Sequence, residues 1–199
     1  MRNASLFLIL APLLLVGCSE TAKPTEASKL TYYHVDSLLD AQIQYLVSQG
    51  AQLQKTNSTD EESEEVLMKM DSMQWVSALS IFRVLDINNP SLKDAYTVRD
   101  QLKDSASNLT ILHYQLKEDD DRQHLKALSF YYLNSIQNLK RIVAKTSFQS
   151  TIYNSSNLFE ITFDQSQKQT VLKSYTISAA QKTMFRDSVK TVVDFEIIN

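Results

Sequence analysis

Glycine is scarce in this chain: its 199 residues contain only Gly17 and Gly50. Phosphate-binding loops need several glycines so that backbone N–H groups can approach the ligand closely. The GxSxG turn that presents a serine nucleophile in many hydrolases needs two glycines around one serine. The sequence therefore excludes nucleotide-binding loops of these types and a nucleophile elbow.

Cysteine, histidine and excess positive charge are also scarce. Cys18 is the only cysteine, so no disulfide can form within the chain. The three histidines, His34, His113 and His124, lie too far apart in sequence for a motif such as HExxH. The formal net charge of −3 gives no electrostatic reason to expect nucleic acid. We therefore expect no cofactor, metal, nucleotide or nucleic acid.

What the chain does contain is an ordinary globular composition behind an apolar start. Hydrophobic residues make up 43% and charged residues 22%, which permits a packed core. Arg2 is followed by an apolar run from Leu6 to Val16, broken only by Pro12. A cationic start, a short apolar run and a small residue before the cut site are typical of a secretory signal, and the run is shorter than the ~20 residues of a membrane span.

The end of this run resembles the lipobox of bacterial lipoproteins, L-[AVST]-[GA]-C. The residues that carry the resemblance are Leu15, Val16, Gly17 and Cys18. It implies that residues 1–17 are a signal peptide and that the Cys18 thiol carries diacylglycerol, with a fatty acid such as palmitate on the new amino group. Ser19 after the cysteine is compatible with the outer membrane. A buried cysteine in a first helix, or a spanning anchor that stays attached, is the alternative.

A tether and one folded domain are expected to follow the anchor. Residues 19–31, SETAKPTEASKLT, have almost no apolar content and cannot offset the entropy of ordering. We therefore predict an acylated cysteine with a flexible tether over residues 18–31 and a single α+β domain over residues 32–199. Whether that domain faces the periplasm or the medium stays open.

Two segments have helical periodicity. Residues 36–49 carry an apolar stripe between Asp36, a candidate N-cap, and Gly50, a candidate C′ residue. A second helix is predicted from Asp71, with Gln74 completing a capping box. The stripe of the first helix comprises Leu38, Leu39, Ile43, Leu46 and Val47. The stripe of the second helix, which ends before Asn88-Asn89-Pro90, comprises Trp75, Leu79, Phe82 and Leu85. This aromatic stripe is more typical of a core than of a cofactor box.

A hairpin is predicted between the two helices, with the acidic residues 60–65 at its tip. These acids lack the Asp-x-Asp-x-Asp-Gly spacing of a calcium loop, so a solvated tip is favoured over a calcium site.

From Tyr96 onward the periodicity changes from 3.6 to 2, and β-branched and aromatic residues dominate. Asn154 and Asp164, together with the acidic run at 119–121, are candidates for positive φ in the glycine-free turns. The predicted fold class is α+β: two N-terminal helices with a hairpin between them, packed on a curved antiparallel sheet of about seven strands. The strands are predicted at residues 96–102, 109–116, 125–133, 138–148, 158–163, 170–178 and 188–198.

Titratable clusters are few. Asp119, Asp120 and Asp121 with His124 form the only carboxylate–imidazole cluster, for which a charged hairpin tip is favoured over a metal or acid–base site. Carboxylates from distant strands, such as Asp164, Asp194 and Glu196, are the candidates for an envelope hydrolase. No catalytic residue is assigned.

Beyond the lipobox, residues 32–199 resemble a group of small uncharacterised lipoproteins of Bacteroidota. The segments that carry the resemblance are YYHVDSLLDAQI and VSALSIFRVLDINNPSLKDAY. The group brings no activity with it. Helices over an antiparallel sheet are also similar to the half-barrels of periplasmic lipoprotein carriers and receptors, which hold acyl chains.

These observations favour a lipid-anchored, non-enzymatic envelope protein that binds either a protein partner or an apolar ligand at the sheet. A hydrolase, or a structural subunit of an envelope complex, is the alternative. For the apolar face of the sheet, a core filled by the helices is favoured over an open ligand cup, and the sequence does not decide between them.

Overall fold

The structure, a computed structural model, describes residues 32–58, 63–117, 123–166, 169–184 and 186–198. In these ranges two helices and nine strands follow one another. A 3₁₀ segment, Ser80–Leu85, directly continues the second helix. The elements are α1 (Val35–Gln49), β1 (Gln52–Ser58), β2 (Ser63–Lys69), α2 (Ser72–Leu79), β3 (Tyr96–Lys103), β4 (Thr110–Leu116), β5 (Leu125–Tyr132), β6 (Leu139–Gln149), β7 (Tyr153–Ser166), β8 (Gln169–Thr183) and β9 (Arg186–Ile198).

All nine strands belong to one antiparallel sheet in the order β2-β1-β9-β8-β7-β6-β5-β4-β3. Strands β3 to β9 form a meander in which each strand pairs with the next. The β1–β2 hairpin then continues the sheet beyond β9, with Gln52 opposite Ile198 and Ser58 opposite Val192. We call the sheet face that carries the helices the inner face, and the opposite one the outer face.

The predicted fold class is wrong in two respects. The sheet has nine strands rather than about seven, and the helices are not an N-terminal pair, because α2 follows two strands of the sheet. The hairpin was predicted, but its pairing with β9 was not. That pairing joins residues about 140 positions apart and supplies hydrogen-bond partners for β9, whose backbone groups are otherwise unpaired on that side.

The first helix is capped by a distant residue. The predicted N-cap Asp36 is wrong: His34 occupies the cap position without a side-chain hydrogen bond, and the Asp36 N–H donates to Asp86 Oδ2 at 2.8 Å. At the other end the prediction for Gly50 is confirmed, because Gly50 has φ 62° and the N–H of Ala51 donates to the Leu46 carbonyl at 3.1 Å. This is a Schellman ending, which satisfies carbonyls that the helix leaves free.

The capping box at the start of α2 is confirmed. The Gln74 N–H donates to Asp71 Oδ1, and the Asp71 N–H donates to Gln74 Oε1, each at 2.8 Å. The α-helix is shorter than predicted, since it tightens into the 3₁₀ segment at Ser80. Trp75 and Phe82, one from each part, are fully buried against the sheet.

The stripe predicted for α1 is only partly correct. Leu39, Ile43 and Leu46 are buried as expected, whereas Val47 is 41% exposed. Gln42, which is polar, is 4% exposed and turns toward the sheet. Its Nε2 donates to the Thr170 carbonyl at 3.0 Å and its Oε1 accepts the Leu172 N–H at 2.6 Å.

Positive φ angles occur at other residues than predicted. Asp94 and Asn134, in connections before β3 and between β5 and β6, have φ 68° and 63°. Asn154 and Asp164 were predicted for this role wrongly, because both lie inside β7, opposite Gln149 and Val171 respectively. The 119–121 run lies outside the described residues.

Candidate functional site

The inner face of the sheet is covered only in part. Beneath the helical layer an aromatic cluster fills the space: Phe82 packs edge to face on Phe159 and Tyr175, with ring centroids 5.8 and 5.1 Å apart, and Tyr175 stacks on Phe195 at 4.4 Å. Burial raises the pKa of Tyr175 well above its ordinary value. Along the borders of α2 and the 3₁₀ segment the apolar face opens into two grooves.

The first, which we call the Met68 groove, lies between α2 and strands β1, β2, β8 and β9. Its volume is about 450 Å³. The lining is apolar apart from Lys55, which comes from β1, and the side chains of Gln74 and Ser77 from α2. Its apolar walls are Met68, Met70, Ala78, Ile81, Ile177 and Phe195, with Leu53 and Tyr175 at the base.

The second, the Phe148 groove, lies between the 3₁₀ segment and the ends of β6 and β7. Its volume is about 480 Å³. Phe148, Phe159 and the exposed side chain of Val84 form its apolar walls, and Thr146 and Asn157 contribute polar groups that bond to each other at 3.2 Å. Ile81 lines this groove as well as the Met68 groove, so the two meet at one side chain.

The helical segment that borders the grooves exposes apolar side chains. Ile81 is 43% and Val84 49% exposed, and Met73 and Val76 on α2 are 82% and 44% exposed. Ile81 and Val84 are exposed aliphatic side chains that line these grooves, which is more typical of a binding surface than of a solvated face.

The lipobox residues Leu15, Val16, Gly17 and Cys18 lie outside the described residues, as do Asp119, Asp120 and Asp121. His124 is exposed and lines the Phe148 groove, where its ring is 5.2 Å from that of Phe148. Over the described part of the chain, no group of three or more His, Cys, Asp or Glu side chains is placed to hold a metal ion.

The carboxylates suggested for a hydrolase lie on the outer face and do not converge. Asp194 and Glu196 are neighbours on β9, and Asp194 Oδ1 accepts a hydrogen bond from Thr176 at 2.6 Å. Asp164 lies on β7, two strands away from β9 in the sheet, so the two strands are about 10 Å apart. The three acids therefore do not form an acid–base pair.

Two polar groupings on the outer face were not predicted, because they depend on strand register. His113 Nδ1 and Ser129 Oγ are 2.8 Å apart on neighbouring strands. The residue opposite His113 on its other side is Arg99, a cation, so β3 supplies no carboxylate to orient the imidazole as in a catalytic triad. The pair is a cross-strand hydrogen bond, and periodicity alone cannot reveal it.

The second grouping is centred on Arg141. Its guanidinium lies 3.5 Å from Glu160 and 4.0 Å from Asp104, and 4.2 Å from the Tyr131 ring centroid. A hydrogen bond from Ser107, with a smaller contribution from Arg141, lowers the pKa of Asp104. Both acidic partners are already engaged, so this grouping holds the β3–β4 connection against the sheet.

In the described part of the chain, no helix is both long and apolar enough to cross a membrane. Comparison of the sequence with protein-family models and with curated proteins, and of the fold with solved structures, found no match.

Proposed function

We propose that this chain is a lipid-anchored protein of the cell envelope that binds an apolar ligand along the inner face of its sheet. The observation that carries the proposal is the pair of grooves that meet at Ile81. Each has a volume within the ~300–1,000 Å³ typical of small-molecule sites, and apolar side chains dominate the Met68 groove.

The chemistry of the Met68 groove favours an apolar chain with an anionic end. Met68 and Met70 are unbranched and adapt to irregular apolar shapes. Among the described residues, Lys55 is the one cation that lines this groove, and it lies on β1 between Val66 and Phe195 of the neighbouring strands. A fatty acid or a similar amphiphile would place its chain along Ile177 and Phe195 and its carboxylate at Lys55.

The anchor is the second part of the proposal. Acylation of Cys18 would hold the domain at a membrane, stably because two or three chains are attached rather than one. Ser19 favours the outer membrane. Residues 19–31 would tether the domain, so the grooves would stay close enough to the membrane to bind an amphiphile that leaves it.

Photo-cross-linking tests the grooves. A diazirine-bearing fatty acid is added to the full chain, and the cross-linked peptides are mapped by mass spectrometry. We expect adducts on α2, the 3₁₀ segment and the inner-face residues of β8 and β9. Ile81→Glu places a charge where the grooves meet and should reduce the adducts severalfold. Val47→Glu is the matched control, because Val47 is equally exposed on α1 and lines neither groove. Equal labelling in the two variants would refute the binding site.

Metabolic labelling with a fatty acid tests the anchor. Cys18→Ala should abolish labelling and leave the precursor uncleaved by the lipoprotein peptidase. Persistent labelling of that variant would refute the assignment of Cys18.

A further inference from the structure

Strand β2 is one edge of the sheet. Among the described residues it pairs only with β1, and all seven of its residues follow one register without a bulge. Every second residue of such a strand directs its N–H and C=O away from the sheet, where they can pair with another strand.

The opposite edge of the sheet, β3, is interrupted by a bulge. Its register shifts between Arg99 and Leu102, and Gln101 there has φ 58°. The neighbouring Arg99 and Asp100 are exposed. Bulges and charges are the usual devices that stop a sheet edge from pairing. Both edges carry exposed charges and exposed aliphatic side chains, Val98 and Leu102 on β3 and Val66 and Leu67 on β2, so the feature that distinguishes β2 is that it has no bulge.

We propose that β2 pairs with β2 of a second copy of this chain, antiparallel and centred on Leu67. In this register Glu65 lies opposite the partner's Lys69, and Lys69 lies opposite the partner's Glu65. Leu67 meets its own counterpart on the same face, and Val66 meets the partner's Met68 on the other. The contact joins two nine-stranded sheets into one.

Charge complementarity selects this register and favours a second copy as the occupant. An antiparallel two-fold pair centred on Glu65 or Lys69 would bring like charges directly opposite, and one centred on Met68 would set Glu65 against the partner's Asp71. A pair centred on Val66 sets no charged residue of β2 directly across from another charged residue. Opposite charges directly across a strand pair are stabilising and like charges are destabilising, so only the register centred on Leu67 gains from its charges.

Charge reversal tests the proposal. The association of the full chain in detergent is measured by analytical ultracentrifugation. Glu65→Lys and Lys69→Glu should each raise the dimer dissociation constant about tenfold or more, because each creates two like-charged pairs. An equimolar mixture of the two variants, and the double variant Glu65→Lys/Lys69→Glu, should return to the wild-type value. All of these side chains are exposed, and unchanged melting temperatures would confirm folding.

Cysteine cross-linking gives an independent readout. Leu67→Cys should form a disulfide-linked dimer under mild oxidation, whereas Val98→Cys on the β3 edge, similarly exposed, should not. A wild-type chain that stays monomeric, as expected if another segment of the chain covers β2, would overturn the proposal. So would a dimer that does not respond to the charge reversals, or one that the double variant fails to restore.

Discussion

Replacing Gln42 with leucine should destabilise the fold even though the new side chain is more apolar. Gln42 is buried between α1 and β8, and its amide bonds both the Thr170 carbonyl and the Leu172 N–H. The ladder between β7 and β8 shifts register next to Leu172, and Gln42 supplies a partner to a backbone group there. Leucine has a similar volume but supplies neither a donor nor an acceptor.

The expected cost follows from these two bonds. A buried backbone group left without a partner costs about 1–3 kcal/mol; the buried Leu172 N–H at about 3 kcal/mol and the part-buried Thr170 carbonyl at about 1 kcal/mol together cost about 4 kcal/mol. Burial of the leucine side chain returns about 2 kcal/mol. We therefore expect the free energy of unfolding to fall by about 2 kcal/mol in Gln42→Leu.

Urea denaturation of the full chain measures this quantity. Trp75 is the only tryptophan and is fully buried, so its fluorescence reports the opening of the core. Gln44→Leu is the matched control: Gln44 is on the same helix but exposed, and surface changes of this kind stay within about 0.5 kcal/mol. If Gln42→Leu is as stable as the wild type or as Gln44→Leu, the role assigned to Gln42 is wrong.

Three further predictions concern stability. Gly50→Ala should lower the free energy of unfolding by about 1 kcal/mol in chemical denaturation, for conformational reasons alone, because Gly50 has φ 62° and an added Cβ would contact nothing within 4 Å. Gly50→Asn should lower it less, and equal losses in the two variants would contradict this reason. Asp71→Ala should also cost about 1 kcal/mol, since it removes the capping box of α2, and an unchanged thermal midpoint would argue against that contribution. Burial raises the pKa of Tyr175 above its ordinary value of 10.0, so the contribution of Tyr175 to stability is fully present below about pH 10 and is lost as the pH rises further. Between neutral pH and about pH 12, the free energy of unfolding of Tyr175→Phe, measured by denaturation, should therefore fall less than that of the wild type.

Local signals in the sequence were sufficient where the physics is local. The capping box at Asp71 and the left-handed ending at Gly50 each depend on a few consecutive residues, and both were predicted. The seven segments predicted after residue 95 each lie largely within one of the strands β3 to β9 for the same reason, since alternation is a property of a short stretch.

Three of the errors involve partners far apart in the chain. Asp86 caps α1 from 50 residues away, a role that residue type and position at the helix start assigned to Asp36. Gln42 is buried because backbone groups of β8, about 130 residues distant, need a partner. The attachment of β1 to β9 changed the strand count for the same reason. No pattern in the local sequence indicates any of these pairings.

The candidate site lies between these two cases. The apolar face carrying Phe159 and Phe195 was predicted from alternation, and a core filled by the helices was favoured over an open cup. The structure contains both conditions, because Phe82 of the 3₁₀ segment packs on Phe159 and Tyr175 while two grooves that meet at Ile81 stay open beside it. That position is a consequence of tertiary packing, which periodicity does not report.

Native mass spectrometry of the chain isolated from its own membranes tests the proposed binding function most directly. The account predicts an apolar ligand bound non-covalently to the wild type and to Val47→Glu, and its loss from Ile81→Glu. A wild-type chain recovered without any such ligand, or a ligand retained equally by Ile81→Glu, would contradict it.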